Sequence, residues 1–149
     1  MPAANLLTNI GSTFAVVVGV PATEDPAGFT ALTYVTVGDI IVAPETGDET
    51  EDVSETTLAG RTKHANGAKD GGSRNISMLY NKTDAGQVIL RANNNGASQI
   101  SCKLTDANGD VSYFYGVVAN LKRPERAASG KIIESGVIRI NSATIQVYA

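Results

Sequence analysis

The chain has 149 residues, 42% of them hydrophobic, with 15 glycines, one cysteine and no tryptophan. This composition is ordinary for a folded domain and excludes extensive disorder, and a single cysteine excludes an intrachain disulfide. Twelve Lys and Arg residues against fifteen Asp and Glu residues give a formal net charge of −3, which disfavours a nucleic-acid-binding protein with a strongly basic surface.

The charges are unevenly distributed along the chain. Residues 1–60 contain nine acidic residues and no Lys or Arg, whereas residues 61–149 contain all twelve basic residues and six acidic ones. The two parts therefore carry formal charges of about −9 and about +6. Two oppositely biased, solvated faces would explain this asymmetry. A surface that attracts a different surface of a neighbouring copy would also explain it, and predicts head-to-tail association.

Proline and capping signals divide the N-terminal part of the chain. Pro21 ends an apolar, β-branched run, which predicts a strand before it. Asp25 followed by Pro26 is the pattern of a helix N-cap and a first helical residue, so a short helix is expected. The predicted elements are an arm at residues 1–12, a strand at 13–20, one or two helical turns at 25–32 and a strand at 33–43.

The segment at residues 44–75 is unusually polar. Its first part carries six acidic residues, its second part is rich in Gly, Lys, Arg and Asn, and Val53 and Leu58 are its only sizeable aliphatic side chains. Such a segment has little to bury in its own domain, and loops of this length are usually functional or disordered. A floppy surface loop is one interpretation. We favour a long, extended, hairpin-like loop that packs on a neighbouring subunit.

The clearest helix signal follows a predicted strand at residues 74–80. Asp84 can cap a helix at about residues 84–95, and Gln87 three positions later completes a pattern like a capping box. An apolar stripe at helical spacing is expected to lie on the sheet. It comprises Ala85, Val88, Ile89 and Ala92.

The remaining sequence predicts strands at residues 98–105, 111–121, 131–140 and 143–148. Asn108-Gly109 is the strongest hairpin signal and joins the first two, and the last two are expected to pair with each other. The whole pattern predicts a single, mainly β domain over residues 1–149. Its expected form is an antiparallel β-sandwich or barrel with one main α-helix.

Two of the predicted strands, at residues 33–43 and 111–121, carry apolar side chains on both faces. A strand with one solvated face should instead alternate between apolar and polar residues. Either the main helix covers the second face, or neighbouring subunits cover what one copy leaves exposed.

No catalytic, metal or cofactor site is predicted. His64 is the single histidine and has no second histidine or cysteine near it in the sequence, whereas zinc sites need three or four converging ligands. Cys102 falls on the apolar face of its strand, which indicates a small buried residue. The acidic run at residues 48–52 lacks the spacing and glycine of an EF-hand loop, and the phosphate-binding and nucleophile-elbow motifs are absent. We therefore expect no enzyme activity and no cofactor.

Two short motifs and the order of the elements resemble a known family. The first motif is Asp25-Pro26-Ala27-Gly28-Phe29-Thr30-Ala31-Leu32-Thr33-Tyr34, followed by Val37-Gly38-Asp39. The second is Asp84-Ala85-Gly86-Gln87, just before the main helix. Both are similar to segments of the major tail tube proteins of siphophages, the phages with long non-contractile tails.

The resemblance implies a structural subunit that forms hexameric rings stacked into a hollow tail tube, with a fold similar to the type VI secretion tube protein. It implies a virion tail location after assembly in the host cytoplasm, with no membrane insertion. The implied partners are the protein itself and the tape-measure, tail-tip and tail-terminator proteins. Double-stranded DNA would pass through the lumen without specific binding, which suits a protein without a strong basic patch. The C-terminal immunoglobulin-like domain of some members is not expected.

Two other functions stay open. The chain could be a tube or ring subunit of a related injection machine, such as type VI secretion or a phage-like particle. It could also be a monomeric β-sandwich binding module. The small basic cluster at Lys122, Arg123 and Arg126 is expected to face solvent or a partner in any of these cases.

Charged residues supply the candidate interface and lumen positions. Asp39 and Glu134 lie within predicted strands, where an unpaired carboxylate cannot be buried, so they are expected to face the lumen or to protect an edge strand. The candidates for contacts between subunits or rings are Glu45, Asp48, Glu49, Glu51, Asp52, Glu55, Arg61, Lys63, Lys69 and Arg74.

Overall fold

A computed structural model describes residues 8–124 and 126–149, so most of the predicted arm at residues 1–12 lies outside the described residues. No helix in the described part is long and apolar enough to cross a membrane. The elements in chain order are β1 (Thr13–Val18), α1 (Pro26–Thr30), β2 (Val35–Val37), β3 (Ile40–Val42), β4 (Glu49–Thr56), β5 (Thr62–Asp70), β6 (Ser73–Leu79), α2 (Ala85–Ala92), β7 (Ile100–Thr105), β8 (Val111–Lys122), β9 (Ile133–Ile140) and β10 (Ile145–Val147).

One antiparallel sheet forms the body of the molecule, in the order β2-β1-β7-β8-β9-β6-β3, with β10 paired to the start of β8. Its two outermost strands, β2 and β3, are consecutive in the chain and separated only by Gly38 and Asp39. The sheet must therefore curl until its edges meet. The result is a barrel, closed by a kinked strand that pairs first with β1 and then with β6.

The interior of the barrel holds the apolar core. Side chains from the strands and one from α2 are buried there, and each contributes roughly 1.5–3 kcal/mol by leaving water. The largest are Phe14, Phe114, Ile76, Met78, Leu90, Ile100 and Ile138.

The kink between β2 and β3 corrects the prediction of one continuous strand at residues 33–43. Asp39 has a positive φ of 58°, a left-handed conformation that Asp tolerates better than most residues. Its carbonyl accepts a hydrogen bond from the backbone N–H of Leu79, which transfers the chain from β1 to β6. The strand changes partner at this point because the barrel has to close.

Helix α2 turns toward the sheet a face that shares only Ile89 with the predicted apolar stripe, and Ile89 is partly buried against the core. Asp84 caps the helix as expected, but its buried residues are Gly86, Gln87 and Leu90, whereas Val88 is 46% exposed. The cause is Gly86, where an added Cβ would lie 2.5 Å from the carbonyl oxygen of Thr36. Only glycine allows this approach, and Leu90, one turn later on the same side, then enters the core.

The last strand also differs from its prediction. β10 pairs with Val111–Tyr113 of β8 and does not pair with β9. The buried Ser142 hydroxyl accepts a hydrogen bond from the backbone N–H of Tyr115, which directs the chain back across the sheet. A β8 of 12 residues is long enough to pair with both strands.

Candidate assembly surfaces

The Val37-Gly38-Asp39 segment of the first motif meets the second motif, Asp84-Ala85-Gly86-Gln87, at the kink. The carboxylate of Asp84 accepts hydrogen bonds from the backbone N–H groups of Gln87 and Gly38, each at 3.0 Å. The side-chain amide of Gln87 donates to the carbonyls of Gly38 and Leu79 at 2.9 Å. Gln87 therefore does not complete a capping box, because its side chain holds the closure of the barrel.

The segment at residues 49–70 is a hairpin outside the barrel, which we call the acidic hairpin. Its strands β4 and β5 pair with each other as a separate two-stranded sheet. Every residue of β4 is exposed, as is every residue of β5 except Gly67. Val53 is 54% exposed and Leu58 at the tip is fully exposed. The hairpin thus buries almost nothing within its own subunit.

The two faces of the acidic hairpin differ. On the paired face, hydrogen bonds join side chains of the two strands, directly opposite at Thr56 and Thr62 and diagonally between Thr50 and Asn66 and between Asp52 and His64. On the open face, the alternation of β4 places Glu51, Val53 and Glu55 together, and β5 contributes Ala65 opposite Val53 and Lys63 opposite Glu55. Among the described residues, neither glutamate forms an ion pair.

The base of the acidic hairpin uses some of the interface candidates within the subunit. Arg74 lies 3.2 Å from a carboxylate oxygen of Glu45 and 3.5 Å from one of Glu49. It also donates to the carbonyls of Gly47 and Gly71, which clamps the two ends of the hairpin together. These three charged candidates therefore have partners inside the subunit, which weakens their assignment to an interface.

The remaining interface candidates all lie on the acidic hairpin or next to it. Asp52 is engaged by His64, with 3.0 Å between its carboxylate and Nδ1. No described ion pair involves the others, which are exposed and free to meet a partner. They are Asp48, Glu51, Glu55, Arg61, Lys63 and Lys69.

The last residue of β8, Lys122, and the segment that follows it carry a basic cluster at another end of the sheet, which we call the basic loop at residues 122–131; residue 125 lies outside the described residues. Lys122, Arg123, Arg126 and Lys131 are exposed, and three of them surround a small hollow with Pro124, Ile132 and Ile133. Ile132 is 51% exposed. The guanidinium of Arg123 stacks over the ring of Tyr80 at 4.4 Å, and that of Arg91 contacts the same ring at 4.8 Å.

Glu134 is not a free carboxylate facing a lumen. It is 5% exposed, and its Oε1 lies 3.0 Å from Nε of Arg91, which also donates to Gln87 and to the carbonyl of Asn81. The expectation that Glu134 faces a lumen or protects an edge strand is therefore wrong, because Arg91 on α2 supplies a counter-charge inside the subunit. Of the two lumen candidates, only Asp39 is exposed.

A groove of about 430 Å³ opens where β1 and β3 diverge below the kink. Ile41 and Val42 line it and are 48% and 47% exposed, and Phe14 and Leu104 form its floor. Within residues 8–124 and 126–149, apolar side chains of β3 are therefore left partly uncovered, as is expected of a surface that a neighbour covers.

Among the residues that the structure describes, neither a reactive cysteine nor a metal site is found. Cys102 is buried, and burial raises the pKa of its thiol, so the nucleophilic thiolate does not form near neutral pH. Within the described residues, no group of three or more His, Cys, Asp or Glu side chains converges as a metal site would require.

Comparisons with known proteins give a likeness in fold. No protein-family model matches the sequence, and a search of curated proteins finds no relative. A chain in the cryo-EM structure of an extracellular contractile injection system, the PVC sheath/tube terminator in the extended state, has a TM-score of 0.60 and 10% identity, covering 98% of this chain and 100% of that one.

Two further structures extend this likeness. A chain of the anti-feeding prophage baseplate has a TM-score of 0.61 and 8% identity, covering 99% and 96% of the two chains. A chain of the PVC sheath-tube complex has a TM-score of 0.54 and 11% identity, covering 91% and 88%. The expectation of a mainly antiparallel β, tube-like fold is confirmed, but these likenesses do not single out siphophage tails. The chain thus has, over nearly its whole length, the fold of chains found in contractile injection particles.

Proposed function

We propose that this protein is a non-enzymatic structural subunit that forms stacked rings in the tube of a phage tail or of a related injection particle. The observation that carries the proposal is the acidic hairpin, which projects from the barrel and buries almost no side chain within its own subunit. An isolated two-stranded hairpin is marginally stable at best in water. A neighbouring copy supplies the missing contacts, as the uncovered groove beside β3 also suggests.

The fold likeness supports a tube, terminator or cap role, and it favours a contractile injection particle over the siphophage tail that the motifs resemble. A sheath protein encoded beside this chain would indicate a contractile machine. A tape-measure protein without a sheath would indicate a siphophage. In both cases we propose that the subunit contacts itself, the tape-measure protein, the tail tip and the terminator.

Self-assembly is the direct test. We expect the purified protein at high concentration, or beside its tail-tip partners, to form rings or tubes that negative-stain microscopy resolves, because its exposed hairpin and groove need a second copy. Sedimentation velocity should show a concentration-dependent shift to large species. A monomer at every concentration, with no tubes even beside those partners, would favour the monomeric binding module instead.

Asp39 is the remaining candidate for the lumen, where a negative charge would keep DNA from binding. We expect Asp39→Lys to leave tube assembly unchanged and to slow DNA ejection, with partial relief at high salt because the Debye length shortens from about 8 Å at 0.15 M to about 3 Å at 1 M. Ejection kinetics measure this. Asp39→Asn separates charge from backbone strain, because Asn tolerates the left-handed conformation and only removes the charge, and it should slow ejection less than Asp39→Lys. A tube structure with Asp39 on the outer wall would refute the assignment.

A further inference from the structure

We propose that the basic loop at residues 122–131 is the surface that receives the acidic hairpin of the next copy of this chain. The inference rests on the proposed function and adds to it the acceptor, the docking face and the polarity of stacking. Placement of the two segments, their charges and their apolar residues each support it.

The acidic hairpin and the basic loop lie at opposite ends of one pair of strands, β6 and β9. Strands β6 and β9 pair over seven residues, from Ser73 opposite Arg139 to Leu79 opposite Ile133. At about 3.4 Å per residue, the two ends of this ladder are separated by roughly 20 Å. The acidic hairpin joins the ladder at the Ser73 end, and the basic loop joins it at the Ile133 end. A donor and an acceptor at opposite ends of one subunit make a heterologous, head-to-tail contact, unlike the self-complementary contact of a two-fold dimer.

Charge complementarity identifies the docking face. The open face of the hairpin presents Glu51 and Glu55 together with a single basic residue, Lys63, which lies opposite Glu55. This face is therefore acidic on balance, and neither glutamate forms a described ion pair. The paired face has cross-strand side-chain bonds of its own. The basic loop has four basic residues and one acidic residue, Glu125, in its sequence. No described ion pair involves its lysines and arginines. Opposed patches of this kind set register and exclude wrong orientations.

Apolar contacts complete the match. Val53 lies between the two glutamates of the open face, and Leu58 projects from the hairpin tip. On the basic loop, Pro124 and the half-exposed Ile132 line the same hollow as Arg123, Arg126 and Lys131. Both surfaces therefore combine exposed apolar side chains with charged ones, as specific interfaces do.

The foot of the basic loop is held in place by a chain of contacts that ends on the buried carboxylate of Glu134. Arg123 stacks on Tyr80, which also contacts Arg91, and Arg91 is fixed by Glu134. A fixed foot reduces the entropy lost when the loop binds a partner. Through these contacts, the pair of Arg91 and Glu134 helps to position the basic loop.

Charge reversal tests the inference. We expect Glu51→Lys with Glu55→Lys to raise the protein concentration needed for tube assembly roughly tenfold, and Lys122→Glu with Arg126→Glu to do the same. All four changes in one chain should restore assembly, because the attraction is re-formed with its signs exchanged. The matched control compares Glu51→Lys with Asp52→Lys, adjacent changes of equal charge on opposite faces, of which only the first should impair assembly.

Cross-linking provides a second measurement that does not depend on assembly rate. A chain carrying Glu51→Cys and Lys131→Cys should form a ladder of disulfide-linked subunits within assembled particles, whereas Asp52→Cys with Lys131→Cys should not. The native Cys102 is buried and does not compete. In one outcome, wild-type tubes form while the chain with all four charge reversals does not assemble and no disulfide ladder appears. That result would show that the basic loop is not the acceptor, and the proposed function would stand. If wild-type protein never assembles, the proposed function fails with it.

Discussion

Replacement of residues 48–70 by a short Gly-Ser linker is expected to give a folded barrel that cannot assemble. No side chain between these positions is buried, so the core loses nothing. Both ends of the excised segment are close together, because Arg74 donates to the carbonyls of Gly47 and Gly71 at 3.1 and 2.9 Å. A short linker can therefore close the gap without straining β6.

Two measurements separate folding from assembly in this variant. Thermal unfolding should remain cooperative, with a small change in Tm because Arg74 loses Glu49 but retains Glu45. Microscopy should show no tubes under conditions in which the wild-type protein forms them. A control that carries only Ser54→Ala, on the paired face of β4, keeps the hairpin and should still assemble. Normal tubes from the deletion variant would refute the assembly role of the hairpin.

Local signals in the sequence predicted much of the fold. Asp25 accepts a hydrogen bond from the backbone N–H of Gly28 and caps α1, with Pro26 at its first position, as the Asp-Pro pair indicated. The Asn108-Gly109 turn joins β7 to β8, and Cys102 is buried. Each of these features depends on residues close in sequence or on simple alternation, which a pattern can report.

The errors arose where distant residues decide the structure. The break at Gly38 and Asp39 follows from closure of the barrel, and the buried face of α2 follows from the close approach of Gly86 to Thr36. Glu134 was not expected in the interior, because its partner Arg91 lies 43 residues earlier in the chain and a local sequence pattern does not reveal such a pair. The sequence contained one indication of the kink, the pair of motifs at residues 37–39 and 84–87. Hydrogen bonds from Asp84 and Gln87 to Gly38 join these motifs across the kink.

The Arg91–Glu134 ion pair is expected to contribute strongly to the stability of the fold. We expect Glu134→Ala to lower the free energy of unfolding by about 3 kcal/mol, because it leaves the guanidinium of a largely buried arginine without its counter-charge. Urea unfolding measures the change. Because the Arg91 side chain is 25% exposed and keeps its bonds to Gln87 and Asn81, the loss should lie at the lower end of the range for buried pairs.

Replacing both members separates the charge from the packing. Arg91→Met with Glu134→Leu should recover most of the lost stability, since a buried pair exchanged for apolar residues of similar size is often close to neutral. The same variant removes one of the two guanidinium contacts on Tyr80 and so loosens the foot of the basic loop. We therefore expect a stable barrel that assembles less readily than the wild type. Equal loss of stability in the single and double variants would show that Arg91 and Glu134 contribute through packing, and that the charge pair itself contributes little.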